Sequence, residues 1–196
     1  MSRPMVQIIH GLPKGLETKA AALYWQAFGE KLGKLMGPEA RGVAFFAESL
    51  NHDAVLAAMD RDTLLGIAAF KTGGHGFSAG GMSDLFRHYG VGALWRLIPL
   101  AMLERSAPDG ILQMDGICVS ADARGKGVGT ALLNALFAHA AEQGFTGVTL
   151  DVIDTNPRAK ALYENLGFEA TGVEHTSVLG PLLGFATATK MVRHLA

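Results

Sequence analysis

Apolar side chains recur every three or four residues between Glu17 and Met36, which predicts a long amphipathic helix that ends at Gly37-Pro38. Two apolar runs at 54–59 and 64–70, joined by a short polar turn, predict a β-hairpin. Pro99 is expected to kink or break a third element, a helix at 82–104. The same patterns predict further strands at 5–12, 111–120, 147–153, 168–176 and 183–192, and further helices at 41–50, 128–143 and 157–165.

The order of these elements indicates the fold class. Strands alternate with helices, and no internal repeat, linker or low-complexity tract interrupts them. We therefore predict a mixed α/β sheet covered by helices, built as a single domain over residues 1–196. The apolar fraction of 49% is enough for one buried core and excludes a disordered chain.

Charge and hydropathy limit the partners of the chain. The formal net charge is −1, which argues against a protein that binds nucleic acid or anionic membranes. The most apolar segment, Val91–Leu103, is interrupted by Arg96 and Pro99 and is shorter than a membrane span. The first residues do not resemble a secretory signal peptide. We expect no nucleic acid and no membrane among the partners.

Cysteine and histidine content bears on compartment and metal binding. The single cysteine, Cys118, has no partner for an internal disulfide, so we expect a reducing, cytoplasmic environment. The seven histidines are not spaced as metal-binding pairs, so we expect no metal.

The most informative segment lies between a predicted strand and a predicted helix, and it reads Arg124-Gly125-Lys126-Gly127-Val128-Gly129-Thr130. Glycine at every second position lets a ligand approach the backbone closely. The free N–H groups and positive dipole end of the following helix attract anions. Arg124 and Lys126 add positive charge, and Thr130 adds a hydroxyl donor. The segment therefore predicts a pyrophosphate site.

Other interpretations of this segment stay open from the residues alone. The spacing is not that of a P-loop, and a dinucleotide fingerprint would need G-x-G-x-x-G rather than G-x-G-x-G. Asp151 nevertheless lies about where a ribose-binding acid would, which keeps a nicotinamide dinucleotide as an alternative. In the simplest case the glycines only allow a tight turn into a helix.

Two paired motifs favour one of these interpretations and leave the nicotinamide dinucleotide as an alternative. Arg124-x-x-Gly127-x-Gly129 is similar to the R/Q-x-x-G-x-G/A signature of the GNAT superfamily of acetyl-CoA-dependent N-acyltransferases. Downstream, Asn156-Pro157-Arg158-Ala159 and Tyr163-Glu164-Asn165-Leu166-Gly167-Phe168 resemble the second hallmark of that superfamily. The close resemblance covers about 115–171 and is uninformative about the acceptor.

The resemblance implies a fold and a cosubstrate. The fold would be a central mixed, mostly antiparallel sheet with splayed parallel strands 4 and 5 and helices on both faces. The cosubstrate would be acetyl-CoA, and its pantetheine arm would bond the backbone of Ile117, Cys118 and Val119 as an added strand would. Its pyrophosphate would contact Arg124, Gly125, Lys126, Gly127, Val128, Gly129 and Thr130.

The resemblance also implies roles for two residues near the second motif. The amide of Asn156 would face the cofactor arm, although Asn before Pro is also a typical helix N-cap. The hydroxyl of Tyr163 would protonate the departing thiolate, unless the ring only packs the helix onto the sheet. The acceptor would be a small-molecule or peptide amine that attacks directly in a ternary complex.

The general base is less clearly indicated. The family's acid on this strand falls at Gln113, which is no base, so Asp115 is the candidate, with a bulge or a capping acid beside Gly116 as the alternative. Strand alternation would place Asp115 on the face of Gln113 and Ile117. Glu48 is a weaker candidate, and Cys118 is expected to be buried core rather than a nucleophile.

The segment 72–104 is an insertion whose role the residues leave open. Phe86, Tyr89, Leu94 and Trp95 would line an apolar acceptor pocket, or, as we favour, pack on the sheet or on a second subunit of a homodimer. Gly73, Gly74 and Gly76 would permit a lid or merely a turn. A non-catalytic acyl-CoA-binding module is a further alternative to the enzyme.

Overall fold

The computed structural model describes residues 6–71, 74–103, 107–175 and 184–195 of the chain. Its strands are β1 Gln7–His10, β2 Val55–Asp60, β3 Thr63–Phe70, β4 Ile111–Val119, β5 Gly147–Ile153, β6 Glu169–His175 and β7 Thr187–His194. Its helices are α1 Glu17–Met36, α2 Glu39–Glu48, α3 Met82–Tyr89, α4 Ala93–Leu103, α5 Val128–Glu142 and α6 Pro157–Asn165.

The strands form one mixed sheet in the order β1-β2-β3-β4-β5-β7-β6, in which only β4 and β5 are parallel neighbours among the described strands. Their pairing is short, since Ile111–Gln113 lie opposite Gly147–Thr149 and the ladder then stops. Beyond that point β4 pairs with β3 and β5 pairs with β7. The predicted fold class, with splayed parallel strands 4 and 5, is confirmed.

Apolar clusters cover both faces of the sheet. On one face, Leu132 and Leu136 of α5 share a buried cluster with Leu150 of β5. On the other face, the residues of α1 and α2 share a cluster with Ile67 of β3 and Cys118 of β4. Burial of these side chains is the main favourable contribution to folding, and it fixes helices on both sides of the splayed strands.

A β-bulge interrupts β4 at Asp115. Ala69 of β3 pairs with Gly116, whereas the next residue, Phe70, pairs with Met114. Asp115 is therefore the extra residue on β4, and a bulge of this kind locally reorients side chains. The bulge that the sequence left as an alternative for Asp115 is present.

The bulge decides which residues of β4 face α1. Gln113 faces α1, because its neighbours on the strand belong to the cluster under α5. Asp115 also faces α1, since its carboxylate accepts a hydrogen bond (2.8 Å) from the backbone N–H of Phe77, a member of the α1-side cluster. Farther along, Cys118 faces α1 while Ile117 packs on the α5 side. The expected alternation is thus wrong for Ile117.

The other elements follow the predictions with two differences. The predicted helix at 82–104 is two helices, and the break lies at Gly90, whose φ of +55° favours glycine. Pro99 lies inside α4, so its predicted role as the break is wrong. The last strand begins later than predicted, at Thr187. The predicted bend at 180–181 and residue Gly73 lie outside the described residues.

The segment α3–α4 is fastened to the carboxyl end of α1. The hydroxyl of Tyr89 donates to the carbonyl of Met36 (2.5 Å), and Nε of Arg96 donates to the carbonyl of Leu35 (2.5 Å). The Arg96 guanidinium also lies over the Tyr89 ring, 4.4 Å from its centroid. The last carbonyls of a helix lack intrahelical donors and carry partial negative charge, so both side chains complete α1.

Replacing Tyr89 with phenylalanine is expected to lower the free energy of unfolding by about 1 kcal/mol, because the Met36 carbonyl loses its buried donor. Urea denaturation measures the change. Leu94→Ala is the control, since Leu94 is 60% exposed and its truncation should change stability by less than about 0.5 kcal/mol. Equal effects of the two substitutions would contradict the prediction.

Candidate active site

A cleft of about 630 Å³ lies beyond the point where β4 and β5 part. Its walls come from α1, the end of β4, the loop before α5, the first turn of α5 and the first half of α6. The following predicted site residues line it: Ile117, Cys118, Val119, Arg124, Gly125, Gly127, Val128, Gly129, Thr130 and Asn156. The structure therefore brings most of the predicted cosubstrate contacts to one cavity.

The amino-terminal end of α5 opens into this cleft without a side-chain cap. Gly127 is the N-cap of the helix with φ +83°, a conformation that favours glycine, and this N-cap provides no side-chain hydrogen bond. A Cβ placed on Gly127 would meet no heavy atom within 4 Å, so the backbone there is open to a ligand. The N–H groups of residues 128–130 are thus available to an anion.

Two arginines contribute to the lining of the cleft. Nε of Arg124 donates to the Val119 carbonyl (3.1 Å), which ties the glycine loop to the end of β4. Arg158, in the first turn of α6, is exposed and also lines the cleft. Lys126 belongs to the same loop but lies outside the lining of the cleft. The walls carry positive charge where the helix dipole is also positive.

Asn156 is a helix N-cap, which is one of the two roles predicted for it from the sequence. Its Oδ1 accepts a hydrogen bond from the backbone N–H of Ala159 (3.1 Å), so it is the N-cap of α6, with Pro157 at the first helical position. Asn156 also lines the cleft. Its contact with a cofactor arm stays a prediction.

Tyr163 of α6 lies on the α5 side of the sheet and outside the lining of the cleft. The side chain is buried in the α5-side cluster, with its ring 5.7 Å from that of Phe168. Burial raises the pKa of the Tyr163 hydroxyl, and the Cys118 thiol raises this pKa further. Cys118 belongs to the cluster on the other face of the sheet, so this interaction acts across the sheet. The phenol is therefore a neutral donor.

Cys118 is a buried thiol. Burial raises the pKa of Cys118, Asp115 raises it further, and Arg124 lowers it by a smaller amount. A thiol that keeps its proton is a poor nucleophile, so these surroundings support its assignment to the core.

The carboxylate of Asp115 is fixed by the loop 74–81. Besides the Phe77 N–H bond, this loop approaches so closely that a Cβ on Gly76 would lie 2.5 Å from Oδ2 of Asp115. Asp115 is half-buried and lies outside the lining of the cleft. The ring of Tyr24 stacks on Phe77 at 4.2 Å, and the pKa of Tyr24 is raised by burial, then by Asp115 and Cys118.

The comparisons with known proteins identify the family. The sequence model of the acetyltransferase (GNAT) family matches residues 19–168, which is most of the chain. The chain belongs to the GNAT family. The fold agrees with that of solved acetyltransferases, among them an N-acetyltransferase of Staphylococcus aureus Mu50 (16% identity, 95% of this chain and 99% of that one, TM-score 0.65).

Two further proteins match part of this GNAT chain. The mycothiol acetyltransferase of Corynebacterium jeikeium is 34% identical over 115 residues, which are 59% of this chain and 30% of that protein. The chain thus spans about a third of the length of the curated relatives it matches. A Bacillus anthracis protein solved in complex with acetyl coenzyme A has the same fold (18% identity, 77% of this chain and 68% of that one, TM-score 0.51).

Several cleft residues of this GNAT domain were missed by the sequence analysis. Leu23, Gln26 and Ala27 of α1 line the cleft, as do Arg158 and Leu162 of α6. The α1 residues carry no motif and reach the cleft through tertiary packing alone. Arg158 stands inside the second motif, so its position there was the signal that could have found it.

Other candidates from the sequence lie away from the cleft. Glu48 is exposed, and its carboxylate pairs with Nε2 of His88 at 3.1 Å. Within the part of the chain that the structure describes, Phe86, Leu94 and Trp95 are exposed and do not line the cleft, and Tyr89 is buried against α1. The insertion therefore packs on the carboxyl end of α1 through Tyr89 rather than on the sheet, and among the described residues these four side chains line no acceptor pocket.

The described part of this GNAT domain contains neither a cluster of metal ligands nor a membrane-spanning helix. Among the described residues, no three His, Cys, Asp or Glu side chains converge as metal ligands would. None of the helices within the same ranges has the length and apolar character to cross a bilayer.

The raised pKa of Tyr163 predicts a loss of stability at alkaline pH. In the unfolded chain tyrosine ionises near pH 10, whereas the folded state keeps its proton. The unfolded state then binds fewer protons, so the free energy of unfolding falls by about 1.4 kcal/mol per pH unit above that point. Urea denaturation at pH 8 and pH 11 should show a fall about 1 kcal/mol smaller in Tyr163→Phe than in the wild type. An identical fall in both would contradict this prediction.

Proposed function

We propose that this GNAT domain transfers the acetyl group of acetyl-CoA to a primary amine by direct attack in a ternary complex. The observation that carries the proposal is the cleft itself. It joins the unpaired side of a splayed strand, at 117–119, to the uncapped amino-terminal end of α5. The strand backbone can bond the amides of the pantetheine arm, and the amino-terminal end of the helix can bind the pyrophosphate.

The two ends of the cosubstrate would be held by backbone groups. After Gln113, β4 has no partner on its β5 side among the described strands, so Ile117, Cys118 and Val119 offer main-chain donors and acceptors to the pantetheine amides. The pyrophosphate would contact the loop and first turn at 124–130. Arg158 would add a second cation to that of Arg124.

The acceptor ammonium loses two protons, one before attack and one after it, and the departing sulfur gains one. The amine nitrogen attacks the thioester carbonyl carbon, and collapse of the tetrahedral intermediate breaks the C–S bond. Tyr163, held neutral by burial, would give its proton to the departing thiolate and would be reprotonated by the second proton that the nitrogen releases as the amide forms. The ammonium form of the acceptor must lose a proton before attack, and the carboxylate of Asp115 would take it, directly or through a water.

Calorimetry tests the cosubstrate first. Coenzyme A and acetyl-CoA are expected to bind the purified protein, and NAD is not, because a GNAT cleft lacks the dinucleotide fingerprint. Arg124→Ala should weaken coenzyme A binding about tenfold or more, since a charge-assisted contact and the tie to Val119 are both lost. Binding of NAD alone would reject the proposal.

Coenzyme A release with a panel of amines tests the catalytic part. Binding of acetyl-CoA without turnover of any amine would favour the non-catalytic acyl-CoA-binding module. We also propose that the chain is a single domain that works in a reducing, cytoplasmic compartment. Its one cysteine, which is buried, is consistent with that environment.

A further inference from the structure

The cleft that is proposed to hold acetyl-CoA has a direction along β4. The glycine loop and the amino-terminal end of α5, where the pyrophosphate is proposed to bind, lie next to Val119, since Arg124 donates to the Val119 carbonyl. The lining of the cleft continues from Val119 back through Cys118 to Ile117. An arm bound along this strand therefore carries its thioester toward Ile117, at the end of the cleft away from the phosphates.

The lining of the cleft stops at the same place on β4 and on α1. On β4 it includes Ile117 but not Gly116. On α1 it includes Leu23 and Ala27, which are four residues apart on one face of the helix, but not Phe28. Gly116 and Phe28 contact each other, so this contact closes the α1 side of the cleft at its thioester end.

Phe28 lies directly on the backbone of Gly116. A Cβ placed on Gly116 would be 2.5 Å from Cζ and 2.8 Å from Cε2 of Phe28, so the ring fills the space that a side chain at position 116 would occupy. Cys118, one same-face step along β4, also faces α1. The ring therefore covers the α1 face of β4 immediately beyond the residues that line the cleft.

Aromatic neighbours hold the Phe28 ring in this place. Its centroid is 4.6 Å from that of Tyr24, one turn earlier on α1, and the Tyr24 ring stacks in turn on Phe77 at 4.2 Å. The backbone N–H of Phe77 donates to the carboxylate of Asp115, the residue before Gly116. Phe28 is thus packed against the α1-side cluster, and moving it would disturb its neighbours.

We propose that Phe28 limits the length of the acyl group on the thioester, and so selects acetyl-CoA over longer acyl-CoA donors. This inference rests on the proposed acetyl transfer and names a specificity-determining residue for it. An acetyl group adds one methyl beyond the carbonyl, whereas a longer chain would need the space that the ring fills. Since a packed interior admits added methylenes only by displacing its neighbours, the longer donor would bind more weakly.

Calorimetry with coenzyme A, acetyl-CoA and hexanoyl-CoA tests this selection on the unaltered protein. All three ligands share the nucleotide and the pantetheine arm, so they differ only at the end of the cleft next to Phe28. Acetyl-CoA is expected to bind about as tightly as coenzyme A, and hexanoyl-CoA about tenfold or more weakly than acetyl-CoA. Equal affinities for the two thioesters would overturn the inference.

Phe28→Ala should remove the discrimination between the two thioesters. The space left by the ring is apolar and can take the added methylenes, so hexanoyl-CoA should bind this variant at least as tightly as acetyl-CoA does. Phe28→Leu, which keeps more of the packing, should narrow the difference several-fold. Coenzyme A should bind both variants as it binds the wild type, because it has no acyl group to meet the ring. An undiminished preference for acetyl-CoA in both variants would contradict the proposal.

Phe45→Ala is the matched control for Phe28→Ala. Phe45 is a buried ring of the same cluster, but its ring contacts are with Phe46 of α2 and with His88 and Tyr89 of α3. It does not line the cleft, so its truncation should leave the preference for acetyl-CoA over hexanoyl-CoA unchanged. An equal loss of preference in the two alanine variants would attribute the effect to loosened packing and reject the role of Phe28.

The same titrations distinguish this inference from the proposed function. A wild type that binds neither coenzyme A nor acetyl-CoA would reject the acetyl transfer, and this inference with it. A wild type that binds both, and binds hexanoyl-CoA as tightly as acetyl-CoA, would reject only the role of Phe28.

Discussion

Tyr163→Phe is expected to lower kcat by about 10²-fold or more while the affinity for acetyl-CoA stays the same. The departing thiolate of coenzyme A needs a proton, and the buried phenol is the proposed donor. The ring of Tyr163 also packs against Phe168, and phenylalanine preserves that contact. The substitution therefore removes the donor and leaves the packing.

Steady-state release of coenzyme A gives kcat, and calorimetry gives the dissociation constant of acetyl-CoA. The raised pKa adds a second expectation, which is that the rate has no alkaline limb from Tyr163 at or below pH 10, where ordinary tyrosine ionises. A variant with unaltered kcat would show that Tyr163 serves only to pack α6 on the sheet.

Gly127→Val is expected to weaken coenzyme A binding by about 100-fold or more. Gly127 has φ +83° directly before α5, where a β-branched residue is strained by roughly 1–2 kcal/mol. The added side chain would also project into the open space of the cleft beside the first turn of α5. Both effects act where the pyrophosphate is proposed to bind.

Gly144→Val is the matched control for this substitution. Gly144 follows the carboxyl end of α5 with φ +80°, and a Cβ there would likewise meet nothing within 4 Å. The two variants should lose similar free energy of unfolding in urea, because the backbone strain is similar. Only Gly127→Val should lose coenzyme A affinity in calorimetry, and an equal loss in both would show that strain rather than the cleft is responsible.

The local elements were predictable because their signals are local. The apolar periodicity of 17–36 gives the bounds of α1, and the polar turn between two apolar runs gives the β2–β3 hairpin. Proline after Asn156 gives the start of α6, and the N-cap bond to Ala159 follows from the same dipeptide. Each of these features depends on neighbours within a few residues.

The family motifs, the glycine turn into α5 and the splayed parallel pair that the motifs imply could all be predicted from short stretches of the chain. The rest of the site depends on contacts between elements. The bulge at Asp115 arises from pairing with β3, and it changes which β4 side chains face α1. The contact between Asp115 and the backbone of Phe77 and the contribution of α1 to the cleft join residues far apart in the chain. Periodicity reports burial along one element, whereas register and packing between elements are set by contacts that no single stretch of sequence contains.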